Sequence, residues 1–405
     1  MLIEFSVSNF LSFRDRQTLS MVASSGQEKR TSHCFKSTIN GTPDLLRSAV
    51  IHGPNAAGKS NLLTAMSVMK TLIIGPLGGH HSKLIVPFQL NKQHRERPCE
   101  FEVIFLKEGV RYQYGFSLDQ ERIHEEWLIA HPLGRPQTWF HRCYDTDTHE
   151  YQWSFSDKFK GQKSVYKTAT RPESLLLSTA IQLNNQQLQA PYTWIRETWR
   201  MMDQTRAYYP RTTMDRCALA EDKLRIISFL NAADLSVLDL EVRGVQMEFA
   251  EDTPENLRKM FPREVVLTHG KGDNSFELPL REDSQGTNKL FPLIGPLLDV
   301  LDEDGVLIVD ELSNSLHPLL LQSLVAEFHK GKGAAQLIFT NHEATLLDLE
   351  LFRRDQIWFV EKNEDLASNL FPLTDYHPRK AEAIGKGYLQ GRYGALPFLK
   401  EVGDV

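Results

Sequence analysis

Residues 53–60 read Gly-Pro-Asn-Ala-Ala-Gly-Lys-Ser and run directly into Asn61-Leu62-Leu63, and no other stretch restricts the fold so tightly. The pattern G-x-x-x-x-G-K-[ST] places glycines where a backbone must turn sharply and approach phosphate closely. It adds a Lys to reach β/γ-phosphates and a hydroxyl to hold Mg²⁺. The flanks agree with that chemistry. Ser48-Ala49-Val50-Ile51 reads as a short buried strand, and Leu62, Leu63, Met66, Met69 and Lys70 follow helical spacing until Gly75-Pro76 stops them. In a strand, glycine loop and helix taken in that order, free N–H groups and a helix N-terminus cradle an anion. Gly53, Pro54, Asn55, Ala56, Ala57, Gly58, Lys59, Ser60 and Asn61 are therefore candidate phosphate-binding residues.

Bulk properties fit a globular protein. The 405 residues allow one large or two ordinary domains. A net charge of −6 gives no global footprint for nucleic acid or an anionic membrane, while leaving room for a local basic patch. Cys34, Cys99, Cys143 and Cys217 lie far apart, as scattered reduced thiols do. His131, His141 and His149 lack metal-ligand spacing and read as surface residues. The start of the chain is an amphipathic strand instead of a leader, and no apolar run reaches membrane-spanning length. A cytoplasmic location without membrane partners is expected.

Along the chain, Leu2 to Asn9 alternates like an edge strand, and another strand is expected around Gln17–Val22. Cys99–Leu106, Val110–Leu118 and Ile123–Ala130 are strand-like, and Thr138–Tyr144 with Tyr151–Phe155 forms a further hairpin, together an antiparallel meander. Ser174–Leu188, Tyr192–Gln204 and Ala220–Ala232 have helical spacing, and no heptad run predicts a long coiled coil. The expected organisation is an N-terminal lobe over 1–165, a helical insert over 166–237 and a C-terminal lobe over 238–405.

The C-terminal lobe carries three further signals. Val306-Leu-Ile-Val-Asp310-Glu311 is an apolar strand ending in two carboxylates; Asp310 suits a Mg²⁺ shell, and Glu311 is placed to orient or deprotonate water. Asp283-Ser284-Gln285-Gly286-Thr287 opens an apolar helix over Leu290–Leu301, a second anion site or an ordinary N-cap. Gln336-Leu-Ile-Phe-Thr-Asn-His342 is another buried strand, and its terminal His342 is a candidate γ-phosphate sensor.

In this order the motifs resemble the ABC-type ATPase heads shared by SMC, RecF-like and OLD-family proteins. The segments Asp310–Pro318, Arg354–Glu361 and Gly391–Pro397 look like the OLD-like AAA-type ATPases, a group that includes proteins of bacterial abortive-infection and phage-defence operons. The resemblance covers residues 1–130 and 280–400. It implies an α/β P-loop ATPase head with an antiparallel β subdomain and a helical insert, using ATP and Mg²⁺. By position, Lys59 binds β/γ-phosphates, Ser60 and Asp310 serve the metal, and Glu311 and His342 serve hydrolysis. Ser284 and Gly286 act as the signature motif and Ser313–His317 as the D-loop. The signature reads Ser-Gln-Gly-Thr where transporters have Leu-Ser-Gly-Gly, and Gln89 is the candidate for the glutamine that serves the metal from the lobe-joining loop. Two copies would then close over two ATPs, with slow turnover. The resemblance also implies a separately encoded effector, a TOPRIM-type nuclease or another toxin, since OLD proteins carry their nuclease after the ATPase and this chain ends near the ATPase. The alternative is a RecF/SMC-like DNA-binding ATPase of repair or recombination. Arg353-Arg354 and Arg379-Lys380 would then belong to a local basic surface, where the plainer reading of both pairs is solvated charge.

Overall fold

Alternating and fully apolar runs sort the strands into two main sheets. The computed structural model describes residues 1–37, 41–76, 81–132, 134–202, 211–232, 235–244, 263–271, 274–313, 318–331, 333–379 and 382–396. Its strands are β1 (Leu2–Ser8), β2 (Gln17–Ser20), β3 (Cys34–Phe35), β4 (Leu45–Leu46), β5 (Ser48–His52), β6 (Cys99–Lys107), β7 (Val110–Leu118), β8 (Ile123–His131) and β9 (Gln137–Asp145). Then come β10 (Glu150–Phe155), β11 (Trp199–Met202), β12 (Val237–Gly244), β13 (Arg263–Lys271), β14 (Asn274–Pro279), β15 (Val306–Val309), β16 (Gln336–Asn341), β17 (Ile357–Lys362) and β18 (Ser368–Pro372).

Seven strands form an antiparallel sheet in the order β10-β9-β8-β7-β6-β1-β2. The expected meander is β6 to β10. β1 is not the edge strand its alternation suggests: it pairs with β6 on one side and β2 on the other, and β2 takes the edge. The second sheet runs β11-β15-β16-β5-β17-β18, parallel except for β18. β5, β15 and β16 are buried along their whole length, as parallel strands covered on both faces must be. Between the sheets lies the Lys59–Ile74 helix. Its Leu62, Met66, Met69 and Ile73 join one apolar cluster with Phe5, Phe101 and Phe105 of the first sheet and Ile51, Ile308 and Ile338 of the second.

By its contacts the chain divides into two compact units: Met1–Asp203 with Val300–Leu312 and Val325–Val405, and Gln204–Asp299 with Ser313–Leu324. The stretch 166–237 is thus shared between them. In the first unit, helices Leu176–Gln182 and Gln189–Thr193 and a π turn at Trp194–Thr198 lead into β11, where sequence periodicity suggests helix to Gln204. Trp199-Arg-Met-Met is short and apolar enough to serve either conformation, and pairing with the exposed side of β15 decides it. The buried Glu126–Arg142 pair, 3.0 Å apart with neither side chain exposed, anchors this region. Glu126 accepts the N–H groups of Leu176 (2.7 Å) and Leu177 (3.0 Å) and the Tyr114 hydroxyl (3.0 Å).

The second unit holds the antiparallel β12-β13-β14 sheet and the expected Ala220–Ala232 helix. A helix from Gln285 to Glu303 contains Pro292 and Pro296, which remove donors from its ladder. Thr213 compensates, donating to Phe291 O (2.9 Å) and accepting Gly295 N–H (3.0 Å).

Candidate functional site

The loop after β5 needs its glycines. Gly53 has φ +156°, and a Cβ there would lie 2.3 Å from the Val360 carbonyl oxygen of β17. Gly58 has φ +116°, and its Cβ would meet Ser368 Oγ at 2.3 Å and Ser12 Oγ at 2.7 Å. Those two serines clamp the loop. Ser368 Oγ donates to Ala57 O (2.5 Å) and shares a hydroxyl–hydroxyl bond with Ser12 Oγ (2.8 Å), and Asn61 Nδ2 donates to the same Ser12 Oγ at 2.7 Å. Asn55 and Ala56 form the exposed apex, Ala56 with φ +63°.

Lys59 opens the helix with its ammonium folded into the loop, donating to Gly53 O (2.8 Å) and Pro54 O (3.0 Å). Burial pushes its pKa down, while the nearby Glu311 and Asp310 carboxylates push it up. Before the loop, His52 is fully buried with both ring nitrogens lacking a hydrogen-bond partner among the described residues. Burial, then the charges of Lys59 and His342, holds it down to about 3, so it is neutral. Ser60 is exposed at the second helical position.

The acidic pair is shaped by the neighbouring strand. The β15–β16 ladder ends at Val309↔Phe339, and Asp310 and Thr340 come next. Thr340 Oγ1 donates to Asp310 Oδ1 (2.6 Å) and accepts the N–H of Glu311 (2.6 Å), while the Thr340 carbonyl accepts Leu312 N–H (3.2 Å). Glu311 is thereby held at φ +50°, a left-handed conformation uncommon for a residue other than Gly, Asn or Asp. His342 is exposed just past β16, on a turn closed by Asn341, whose side chain bonds both N–H and C=O of Glu343.

Lys59, Asp310, Glu311 and His342 therefore gather at the C-terminal ends of adjacent strands, with Ser60 one residue on from Lys59. The oxygen donors of Ser60 and Asp310 suit a hard divalent cation, and the cradle left by Gly53 and Gly58 suits a phosphate chain, so these residues fit ATP and Mg²⁺. Gln89 is exposed, and its amide donates to Pro87 O (2.9 Å). In the second unit, Ser284 caps the Gln285–Glu303 helix, its Oγ accepting Thr287 N–H (3.1 Å). Asp283 Oδ1 accepts Ser284 N–H at 2.6 Å. A Cβ on Gly286 would meet only Ser284 Oγ, at 3.7 Å, so packing does not explain that glycine. Of Ser313–His317, Ser313 is buried and residues 314–317 lie outside the described residues. Gly391, Gly394, Ala395 and Leu396 join Pro54–Ala57, Glu361 and Lys362 around a cavity of about 520 Å³; Pro397 is outside the described residues.

Sequence reasoning missed Ser12, Ser368 and Thr340, which carry no motif and act through side-chain bonds to distant segments. It also misread His131 as a surface residue. His131 is buried beside Arg111, and Arg353-Arg354 is not an open basic patch. Arg353 is buried on Asp355 (2.6 Å) and Arg354 pairs with Glu28 (2.9 Å). Among the described residues no cluster of His, Cys, Asp and Glu could hold a metal by itself, and no helix is long and apolar enough to cross a membrane.

A glycine loop between β5 and its helix, with β16 separating β5 from the acidic strand β15, defines an α/β P-loop ATPase fold with an antiparallel β subdomain. The chain belongs to the family described as "AAA domain, putative AbiEii toxin, Type IV TA system", whose profile matches residues 48–348. Among solved structures, it is similar to the SMC head domain from Thermotoga maritima, at 14% identity and TM-score 0.42, over 92% of this chain and 98% of that one. It is also similar to an SmcHead bound to the C-winged helix domain of ScpA, at 12% identity and TM-score 0.46, over 92% of this chain and 97% of that one. No curated protein matches the sequence.

Proposed function

We propose that this chain is an ATP-hydrolysing switch that assembles as a nucleotide-sandwich dimer or higher oligomer and controls a separately encoded effector, a nuclease or toxin, in anti-phage defence. The observation that carries the ATPase reading is the acidic turn. Glu311 is held in a left-handed conformation beside an Asp bonded to its own neighbouring strand, within electrostatic reach of the P-loop Lys.

Lys59 leaves its loop carbonyls for the β/γ-phosphates, exchanging two neutral acceptors for charged ones. Ser60 and Asp310 would hold Mg²⁺, which offsets the phosphate charge. Glu311 orients a water and takes its proton as the water oxygen bonds to the γ-phosphorus and the bond to the β,γ-bridging oxygen breaks, giving ADP and phosphate. His342 contacts the γ-phosphate. Ser284 and Gly286, from a second copy, complete the site. That a second component exists is supported by the family description, which names a toxin–antitoxin system.

The test is Glu311→Gln, purified with its neighbouring genes and weighed intact in Mg·ATP. The expected species is an even-numbered ATPase core with ATP trapped and a second protein bound. Wild-type hydrolysis by the variant would reject the catalytic role. A companion-free homodimer whose turnover rises with DNA and falls steeply with salt would replace the effector reading with a DNA-binding one.

A further inference from the structure

The end of β16 touches every element that chemistry at this site would use. Thr340 is fully buried and stands in register with Ile51 of β5, two residues before Gly53. On its other side, its hydroxyl and carbonyl reach three consecutive positions of the acidic turn: the Asp310 carboxylate, the Glu311 N–H and the Leu312 N–H. One residue later Asn341, also fully buried, closes the turn that carries His342. A single tripeptide thus fixes the carboxylate pair and the γ-phosphate sensor.

We infer that Thr340 is a positioning residue that holds the Asp310–Glu311 turn in its working geometry and couples it to His342. This rests on the ATPase reading above and extends it. The hydroxyl has two separate tasks. As donor, it occupies one oxygen of Asp310, so that the other is the one left to serve a cation's water shell. As acceptor, it takes the N–H of the left-handed Glu311. Without that tie Glu311 relaxes to an ordinary conformation and its carboxylate turns away. Because Thr340 and His342 lie on one short rigid segment, a shift of His342 on γ-phosphate is passed to Glu311 through two peptide units. Ser at this position preserves both bonds; Val preserves shape and removes both.

The experiment compares Thr340→Val and Thr340→Ser in the full chain, with thermal denaturation to confirm folding. The first readout is steady-state hydrolysis. Thr340→Val is expected to lower kcat at least tenfold with KM for ATP changed less than threefold, and Thr340→Ser to stay within threefold of wild type in both. The second readout needs no turnover: a Mg²⁺ titration of fluorescent-nucleotide binding, in which Thr340→Val requires about tenfold more Mg²⁺ and Thr340→Ser does not. Equal Mg²⁺ requirement in all three proteins, or a Val variant with wild-type kcat, overturns the assignment. A wild type that binds Mg·nucleotide and does not hydrolyse it would sink the ATPase reading, while the Mg²⁺ titration would still decide for or against Thr340. If Thr340→Val proves unfolded, Thr340→Ala carries the same two readouts, and a wild-type Mg²⁺ requirement there overturns the assignment equally.

Discussion

Gly58→Ala tests whether the phosphate loop is set by steric fit. At φ +116° the backbone lies where L side chains are strained, at a cost of about 1–3 kcal/mol. The new methyl would also stand 2.3 Å from Ser368 Oγ, too close to be tolerated. Moving that hydroxyl breaks its bonds to Ala57 O and Ser12 Oγ, at roughly 1 kcal/mol each. Partial relaxation of the loop leaves a net effect of about 3 kcal/mol, roughly 150-fold in nucleotide affinity. Titration with a fluorescent ATP analogue, alongside thermal denaturation of the free protein, measures it. The steric cause has its own signature, because Ser368→Ala removes the nearer of the two clashing oxygens. The double variant Gly58→Ala/Ser368→Ala should lose less than the sum of the single losses, by about 1 kcal/mol. A Gly58→Ala protein that binds within threefold of wild type and melts normally would refute the reasoning. Strict additivity would show that the clash is not the cause.

Glu126→Ala strands the buried Arg142 and unpairs two N–H groups and a hydroxyl, so it should cost about 3–5 kcal/mol in chemical denaturation; a loss below 1 kcal/mol would contradict the picture of a dry ion pair. Acid should destabilise the fold through three buried histidines. His33 and His329 stack with ring centroids 3.8 Å apart, and burial, with Lys29, Arg47 and Arg353 nearby, lowers both pKa values, His329 to about 3; His52 sits at about 3 as well. Each folded pKa lies below the unfolded one near 6.5, so this stability is complete above that pH. It declines as pH falls, by up to about 1.4 kcal/mol per pH unit per group. Denaturation midpoints between pH 7 and 4.5 should therefore slope less steeply in His329→Gln than in wild type, and an unchanged slope would exclude His329 as a source.

What could be read from the sequence was local. The P-loop, the meander strands and the Asp310-Glu311 strand are each specified by a few adjacent residues, and they fold as their patterns indicate. β11 escaped because four apolar residues fit either period, and only β15 settles which. β1 escaped because alternation marks a strand with two unlike faces and says nothing about which edges are paired. Ser12, Ser368 and Thr340 are common residues whose importance arises from partners far away in sequence. The clustering of Lys59 with Asp310 and Glu311 was implied only by analogy of motifs; the parallel order β15-β16-β5 is what brings them to one end of one sheet.

The clamp on the phosphate loop has a consequence for biosynthesis. Ser368 bonds to Ala57 across 311 residues and to Ser12 across 356. On a ribosome adding 5–20 residues per second, the P-loop would wait about 15–60 s for its last contacts. For that interval the nascent chain carries the whole nucleotide motif without the geometry to use it. Full nucleotide affinity should appear late in synthesis, when β18 docks, so an unfinished copy would bind nucleotide poorly.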